Sequence, residues 1–432
     1  MPEAIPTLRA LNQRQFFIAA MGVAILIRLL LMPFFAHVDL YSEARRVFYV
    51  IENDHLFDNS HRFVVFYIEV FFASLSHLFI DVTEGLFHIE DPTQSVSGIV
   101  DYGYFLNDPN IYRHLFFFKL PYLLFDIATA IVVWKFIDKP AYRRIALLIW
   151  LFNPLTLYST YIFGRFEVIS LFFLSMSALQ LKYDRVFLAT IFFAITLHCR
   201  EINLLYMPFF LLAVIDYKDH WFRNIIVTTS CAAIIVMIYL LPDFMINLSG
   251  GNTLLFVDPN AGVQDAPLNK LLSLGYHWFY PVIICLAVLA IYQWEIGYKA
   301  KAERFVVCAS IVLFIYFGFN VHSIHYASWL VLLPILSMQF KRKVLLPFIA
   351  LSVAWIALWL LKTDTGVFTL FLAAPLTTDF IGLGHFPTFY QQIIQGSSLT
   401  LHQSIQIMRS LFFVVMCFFT YRLLTQTDNI DR

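Results

Sequence analysis

Polar residues that could carry chemistry stand at the boundaries of apolar segments at four places in this chain. The four groups are Asp39 with Glu43, Arg165 with Glu167, Arg200 with Glu201, and His322 with His325 and Tyr326. Ionisable groups at membrane depth are energetically expensive and are usually functional. If the chain is threaded through a bilayer, all four groups fall on one side. That arrangement indicates a membrane enzyme with a single reaction face.

Two carboxylates follow the first apolar segment. Asp39 and Glu43 are four residues apart, so they share one face if this stretch is helical. A carboxylate at the membrane boundary can act as the general base for an acceptor hydroxyl. The alternative interpretation is an exposed interfacial helix in which Glu43 pairs with Arg46.

The second and third groups contribute cations. Arg165 could hold phosphate oxygens with several N–H donors, while Glu167 could orient it or bind a sugar hydroxyl. Arg200 lies where two short apolar segments meet, which suggests a polar cavity. The alternatives are a local ion pair at a turn for the first pair and a loop cap for Arg200.

Two imidazoles and a phenol form the fourth group. His322, His325 and Tyr326 could bind a phosphodiester. The alternative is a set of interfacial aromatic residues. Zinc would need a further ligand, and the sequence offers no convincing third one nearby.

Carboxylates at 90, 91 and 101 could complete a divalent-metal site, but their spacing is not diagnostic. No metal ligand is assigned, and no cofactor is certain.

Further charges lie inside apolar segments. Lys119 and Asp126 are seven residues apart on one helix face, which makes Lys119 a plausible phosphate contact and Asp126 its buried partner. Alternatively, Lys119 snorkels towards the interface and Asp126 joins two helices. Arg28 falls within the first apolar run, where a charge is costly unless it is paired or near water.

The composition predicts an all-α polytopic membrane protein. The 432 residues are 60% hydrophobic and 13% charged, with a mean hydropathy of +0.73 and zero net charge, which suggests no nucleic-acid partner. The five cysteines form no CxxC or metal spacing. About twelve runs are apolar and long enough to be candidate spans. They lie near 16–36, 118–134, 144–163, 166–181, 186–200, 202–216, 224–242, 277–295, 305–320, 326–340, 344–361 and 405–424.

The distribution of lysine and arginine predicts the orientation. With both termini cytoplasmic, most of the 29 Lys and Arg residues fall in short inner loops. We therefore interpret 63–80 as an interfacial or re-entrant helix, since a full span there would invert everything after it. Three large outer segments, 37–117, 243–275 and 362–404, are expected to contain interfacial helices. The whole chain, 1–432, reads as one integral membrane domain, with 16–242 as a first module and 277–424 as further helices.

Four stretches, in this order, resemble the GT-C superfamily of polytopic glycosyltransferases. They are Val38-Asp39-Leu40-Tyr41, Phe118-Lys119-Leu120-Pro121 through Asp126, Asn153-Pro154 through Gly164-Arg165-Phe166-Glu167, and His325-Tyr326-Ala-Ser-Trp329 through Pro334. The likeness covers roughly residues 20–340. It is closest to polyprenyl-phosphate-mannose-dependent mannosyltransferases of the GPI mannosyltransferase I and mycobacterial phosphatidylinositol mannoside types.

The resemblance implies an inverting glycosyltransferase. Asp39 would be the catalytic base, with Glu43 next to it, and a hexose, mannose first, would pass from a polyprenyl phosphate to a lipid or glycan acceptor. Compact inner loops and the lack of an endoplasmic-reticulum retention tail favour a bacterial inner membrane, with the site on its extracytoplasmic face. A transporter or flippase, a lipid-diphosphate-dependent polysaccharide polymerase or ligase, and a non-enzymatic scaffold stay open as alternatives.

Overall fold

The protein is helical throughout the part of the chain that the structure describes. The computed structural model describes residues 12–53, 63–76, 79, 99–216, 221–248, 300–319, 326, 328–340, 345–362, 370–382, 390–391, 393 and 400–425. Its α-helices are α1 Gln13–Leu31, α2 Val38–Asn53, α3 Phe63–Ser76, α4 Ile99–Leu106, α5 Ile111–Phe136, α6 Pro140–Phe152, α7 Pro154–Leu157, α8 Glu167–Lys182, α9 Val186–Leu197, α10 Met207–Val214, α11 Trp221–Leu248, α12 Lys301–Phe319, α13 Trp329–Ser337, α14 Leu345–Lys362 and α15 Leu401–Thr425. A π-helical turn spans Tyr158–Ile162, and 3₁₀ turns span Glu201–Tyr206, Leu370–Ala373 and Thr378–Gly382.

Five helical segments of this described part are long and apolar enough to cross a membrane, which is consistent with a helical membrane protein. They are Gln13–Leu31, Ile111–Phe136, Pro140–Ile162, Trp221–Pro242 and Leu401–Leu424. The expectation of about twelve spans is not confirmed. Several of the expected spans are shorter helices, such as α9 and α10, and the run 277–295 lies outside the described residues.

Local sequence signals set several helix ends. The side chain of Asn12 accepts a hydrogen bond from the Gln15 amide at 2.8 Å, and that of Gln15 accepts one from the Asn12 amide at 3.2 Å. This reciprocal capping box begins α1. Asn153 ends α6, and its side chain accepts from the Leu155 amide at 2.8 Å to begin α7. The Asn-Pro pair thus divides one apolar run into two helical pieces.

α8 lies at the centre of the bundle. None of its 16 residues is exposed, and it packs against α5, α9, α12 and α13. A helix that is apolar on nearly every face belongs in the interior. At about 1.5 Å per residue, α8 is roughly 24 Å long, so its first and last residues lie near opposite ends of the bundle.

The short helix α3 falls on the run that the sequence suggested as interfacial or re-entrant. Its 14 residues are about 21 Å long, which is less than the roughly 30 Å thickness of a bilayer core. Glu69 is buried and accepts a hydrogen bond from the Tyr122 hydroxyl at 2.6 Å, so α3 is fixed against α5.

A buried ion pair joins α1 to α5. Nε of Arg28 lies 2.6 Å from Oδ2 of Asp126, and neither side chain is exposed. The Tyr161 hydroxyl donates to the same carboxylate oxygen at 2.7 Å. The partner of Asp126 is therefore Arg28, and the expected pairing with Lys119 was wrong. Arg28 also lies in the last turn of α1, because the helix ends at Leu31 and not near 36.

Candidate active site

The stretch that carries the first two carboxylates is helical. α2 begins at Val38, so Asp39 lies in its first turn and Glu43 one turn further on the same face. The Asp39 side chain is 37% exposed and that of Glu43 only 11%. Nη1 of Arg46 lies 3.6 Å from Oε2 of Glu43, which is the pairing named above as the alternative for this helix. Of the two carboxylates, Asp39 is the one that a bound molecule can reach.

Three contacts anchor the segment that leads into α2. The Ala36 amide donates to the Leu372 carbonyl at 2.9 Å, and the Tyr102 hydroxyl donates to the Ala36 carbonyl at 3.0 Å. Burial raises the pKa of Tyr102 far above its ordinary value, so its phenol stays protonated and remains a donor. The His37 ring stacks on Phe163 with centroids 3.9 Å apart. These contacts hold the start of α2 against the turn that carries Arg165.

Lys119 also holds the segment between α1 and α2 in place. Its fully buried ammonium donates to the carbonyls of Met32 at 3.0 Å, Tyr161 at 2.8 Å and Phe35. The carbonyls at a helix C-terminus lack partners within the helix, and Lys119 supplies donors for those just after α1. An ammonium has three donors, so these bonds use all of them. Lys119 therefore holds the backbone before Asp39, and its three donors are occupied by carbonyls.

A tight turn places Arg165 opposite α2. The π-helical turn closes with the Phe163 amide donating to the Tyr158 carbonyl at 2.7 Å, and the Arg165 amide donates to the Ser159 carbonyl at 3.0 Å. Gly164 between them has φ +86°, a conformation that favours glycine. A Cβ atom at this position would lie 2.9 Å from Cδ2 of Leu40. Glycine therefore allows both the turn and its close approach to α2.

Arg165 lies among three carboxylates. Its Nη1 is 3.5 Å from Oδ2 of Asp39 and 3.8 Å from Oε1 of Glu43, and its Nε is 3.9 Å from Oε1 of Glu167. All three separations exceed the usual 2.7–3.2 Å of an N–H···O hydrogen bond. Nε of Arg165 is buried and donates no hydrogen bond within the described part of the chain. The guanidinium is thus electrostatically held while keeping hydrogen-bonding capacity.

Glu167 is tightly held from the opposite side. Nε of Arg200 lies 3.0 Å from both of its oxygens, and Nη2 of Arg200 also donates to Oε1. Trp329 donates its indole N–H to Oε2 at 3.1 Å. The Glu167 side chain is completely buried and that of Arg200 is 6% exposed. A buried charge needs such a partner, so this pair joins α8, the turn after α9 and α13.

The backbone around Arg200 is fixed by Asn203. The Asn203 amide group donates to the Arg200 carbonyl at 2.8 Å and to the hydroxyl of Ser170, on α8, at 3.0 Å. The Arg200 guanidinium stacks over the rings of Phe166 and Tyr326, at 4.9 and 5.0 Å from their centroids. Tyr326 is therefore brought to the cluster. His322 and His325 lie outside the described residues, so their placement stays a prediction.

The structure brings together six of the nine site residues that the sequence suggested, namely five charged residues and Tyr326. We call Asp39, Glu43, Arg165, Glu167 and Arg200 the charged cluster. Trp329 and Phe166 belong to its surroundings but were not predicted as site residues. A signal for Trp329 was present, because a buried carboxylate requires donors and an indole N–H at the start of an apolar segment is one.

Metal binding has no support from this part of the chain. Within the described residues, no three His, Cys, Asp or Glu side chains are grouped so that they could hold a metal ion. The carboxylates at 90 and 91 lie outside those residues, and the side chain of Asp101 is likewise not described. The carboxylates of the charged cluster instead face guanidinium groups.

Comparisons with known proteins give no relative of this chain. No protein-family model matches it, and neither a curated protein nor a solved structure was found to be similar.

The arrangement of the charged cluster has a chemical consequence. A reachable carboxylate, Asp39, lies beside a buried guanidinium, Arg165, that retains donor capacity. A carboxylate of this kind can accept a proton from a hydroxyl, and a guanidinium can bind phosphate oxygens. The two groups lie 3.5 Å apart, so they can act on substrates bound at one place.

Proposed function

We propose that this chain is an inverting glycosyltransferase that moves a hexose, with mannose as the first candidate, from a polyprenyl phosphate to a hydroxyl of a lipid-linked or glycan acceptor. The observation that carries the proposal is the position of Arg165. Its guanidinium lies 3.5 Å from the exposed Asp39 carboxylate, and its buried Nε makes no hydrogen bond within the described residues. The order of the sequence motifs that resemble the GT-C superfamily supports the same reaction class.

Asp39 is the proposed general base. Its carboxylate takes the proton of the acceptor hydroxyl as that oxygen attacks the anomeric carbon of the donor sugar. The new C–O bond forms as the bond from the anomeric carbon to the phosphate oxygen breaks, so the anomeric centre inverts. Asp39 suits this role better than Glu43, because its side chain is more than three times as exposed, 37% against 11%.

Arg165 is the proposed contact for the leaving group. The polyprenyl phosphate departs as an anion, so it needs charge stabilisation more than protonation. Phosphate oxygens at hydrogen-bonding distance would compete with carboxylates that stand 3.5–3.9 Å from the guanidinium. Arg200 and Glu167 satisfy each other's charge and hydrogen bonds, and this buried pair supports the position of Arg165. His322 and His325 are further candidates for the phosphate by sequence, and Tyr326 contacts Arg200.

The reaction face is proposed to be extracytoplasmic, in a bacterial inner membrane. Glu167 begins α8, whereas Lys182 ends it, about 24 Å away. Lys135 and Lys139 lie at the same end of the molecule as Lys182, because Lys182 donates to the carbonyl of Phe136, the last residue of α5, at 2.6 Å. Clustering of cations at the end opposite the charged cluster supports an orientation in which that end is cytoplasmic.

The test is turnover by purified, reconstituted protein. Wild type and Asp39→Asn would each receive polyprenyl-phosphate mannose, and separately the glucose and arabinose analogues, with a membrane lipid extract as acceptor. We expect release of polyprenyl phosphate with one donor, lost in the variant. No release with any donor from folded protein would contradict the proposal and favour a lipid-diphosphate transferase or a transporter. Equal release from the variant would move the base to Glu43.

A further inference from the structure

A groove lies between α5 and α8 at the end opposite the charged cluster. It has a volume of about 520 Å³. Its walls are largely apolar and include Ile131 and Val132 from α5 and Phe172, Met176 and Leu179 from α8. The groove is open to the surroundings of the bundle, because Ile131 is 37% exposed. Its apolar lining suits a hydrocarbon chain.

Two cations stand at the mouth of the groove. Lys135 lies in the last turn of α5, and Arg185 follows the end of α8; both side chains are exposed. Within the described residues neither forms an ion pair. Nearby lysines do, since Lys182 lies 2.6 Å from Asp138 and Lys301 lies 2.5 Å from Asp184. Asp138 and Asp184 are therefore engaged by other lysines, and Lys135 and Arg185 give the groove mouth positive charge.

A buried acceptor lies between the cations and the apolar walls. Gln180 lines the groove and is only 5% exposed, and its Oε1 has no hydrogen-bond partner among the described residues. A buried acceptor without a donor is costly, so this atom is suited to a hydroxyl or N–H of a bound molecule. The Gln180 carbonyl accepts from the Arg185 amide at 2.9 Å, which fixes Arg185 beside it.

We propose that this groove binds an anionic glycerophospholipid with a hydroxyl-bearing headgroup, phosphatidylglycerol being the simplest example. The acyl chain lies along the α5–α8 walls, the phosphate contacts Lys135 and Arg185, and a headgroup hydroxyl donates to Oε1 of Gln180. Basic pockets between transmembrane helices are known to bind anionic headgroups. This site does not depend on the proposed glycosyl transfer, because its polar residue Gln180 lies about 20 Å along α8 from Glu167.

The test is native mass spectrometry of the purified full chain in mixed micelles of phosphatidylglycerol and phosphatidylcholine. Wild type should retain phosphatidylglycerol selectively. Each basic residue near an anionic phosphate contributes about 1 kcal/mol of binding free energy. The double variant Lys135→Gln with Arg185→Gln should therefore bind phosphatidylglycerol about thirtyfold more weakly. Filling the groove with Ala128→Trp should also reduce binding while leaving both charges in place. Ala128 lines the groove and is only half-buried, so the bulky side chain can enter it.

The control variant removes the same charge outside the groove. Lys139→Gln with Arg14→Gln changes two exposed cations that do not line it, and phosphatidylglycerol retention should stay as in wild type. Equal retention of the two lipids by wild type, an equal loss in the control, or no effect of Ala128→Trp would each overturn the proposal. Competition by glycerophosphate as strong as that by the intact lipid would mean a site for free phosphate and not for lipid.

Discussion

Nη1 of Arg165 lies 3.5 Å from Oδ2 of Asp39, and these two residues connect the turn before α8 to the first turn of α2. Their separation is short enough for attraction and too long for a tight hydrogen bond. Elsewhere in the cluster, Arg200 and Glu167 are in full hydrogen-bonding contact. Asp39 and Arg165 can therefore exchange partners, whereas Glu167 and Arg200 hold the structure together.

Asp39→Asn should strongly lower turnover while leaving the fold intact. Loss of a general base lowers the rate about 100- to 10,000-fold. The ion pair with Arg165 is partly exposed, so its loss should change stability by about 0–1 kcal/mol. Release of polyprenyl phosphate measures the first effect and thermal unfolding in detergent the second. Asp379→Asn, at an exposed carboxylate in a 3₁₀ turn, is the charge-matched control and should keep full activity.

Arg165→Gln should lower kcat/KM for the lipid-phosphate donor about 100- to 1,000-fold, the scale observed when one donor to a developing anion is removed. Arg165→Lys should give an intermediate loss, since it keeps the charge but not the fork of N–H groups. Arg46→Gln, at a half-exposed cation that also faces Glu43, is the control. An equal loss in Arg46→Gln would show that the net charge near α2 matters and not the position of Arg165.

Glu167 and Arg200 should be strongly coupled in stability. Removing one partner of a buried ion pair leaves the other charge uncompensated and typically costs about 3–5 kcal/mol. Glu167→Gln and Arg200→Gln should each destabilise by this amount, whereas the double variant should lose less than the sum of both. Unfolding in mixed micelles with rising SDS fraction measures the three free energies. Additive losses would mean that the two side chains do not interact in the folded protein.

Lys119→Met should act through the backbone that it holds. Each of the three carbonyls left without a donor costs about 1–3 kcal/mol when buried. We expect clear destabilisation and a fall in kcat, because Asp39 loses its support, with the KM for the donor unchanged in the folded fraction. Lys139→Met, at an exposed lysine, should be neutral. A rise in donor KM without destabilisation would instead make Lys119 a phosphate contact.

Gly164→Ala should disturb the approach of the Arg165 turn to α2. The left-handed backbone costs a residue with a Cβ atom about 1–2 kcal/mol, and the new atom would also press on Leu40. Gly22→Ala is the matched control, since a Cβ atom there meets nothing within 4 Å and alanine favours the helix. Destabilisation with lost turnover is expected for the first variant alone. Equal stability of both would contradict the close packing.

The sequence was informative about where helices lie and less so about which of them span. The predicted span 166–181 corresponds closely to the observed helix Glu167–Lys182, because charges and turn residues mark both ends. In contrast, the helix within the predicted span 186–200 already ends at Leu197, and a 3₁₀ turn follows Arg200. Hydropathy alone does not show that the polar residues His198 and Arg200 would be buried by other helices, as they are here. Local composition therefore could not establish the number of spans.

In the candidate site, residue types were easier to predict than partners. Asp39, Glu43 and Arg165 were expected near one another because each follows or begins an apolar segment at the same end. Asp126 was matched to Lys119 by spacing along one helix, yet its partner Arg28 comes from another helix. Spacing reports only which residues share a face. The neighbour across that face depends on how the helices pack.

We expect the Arg28–Asp126 pair to affect the order of events during synthesis as well. The two residues are 98 positions apart, so Arg28 leaves the ribosome well before its counter-ion exists. Until Asp126 arrives, α1 carries a charge that opposes its stay in hydrocarbon. Stable insertion of the first helix is therefore tied to delivery of the α5 segment. A nascent chain arrested before residue 126 should be extracted from membranes more readily than one arrested after α6.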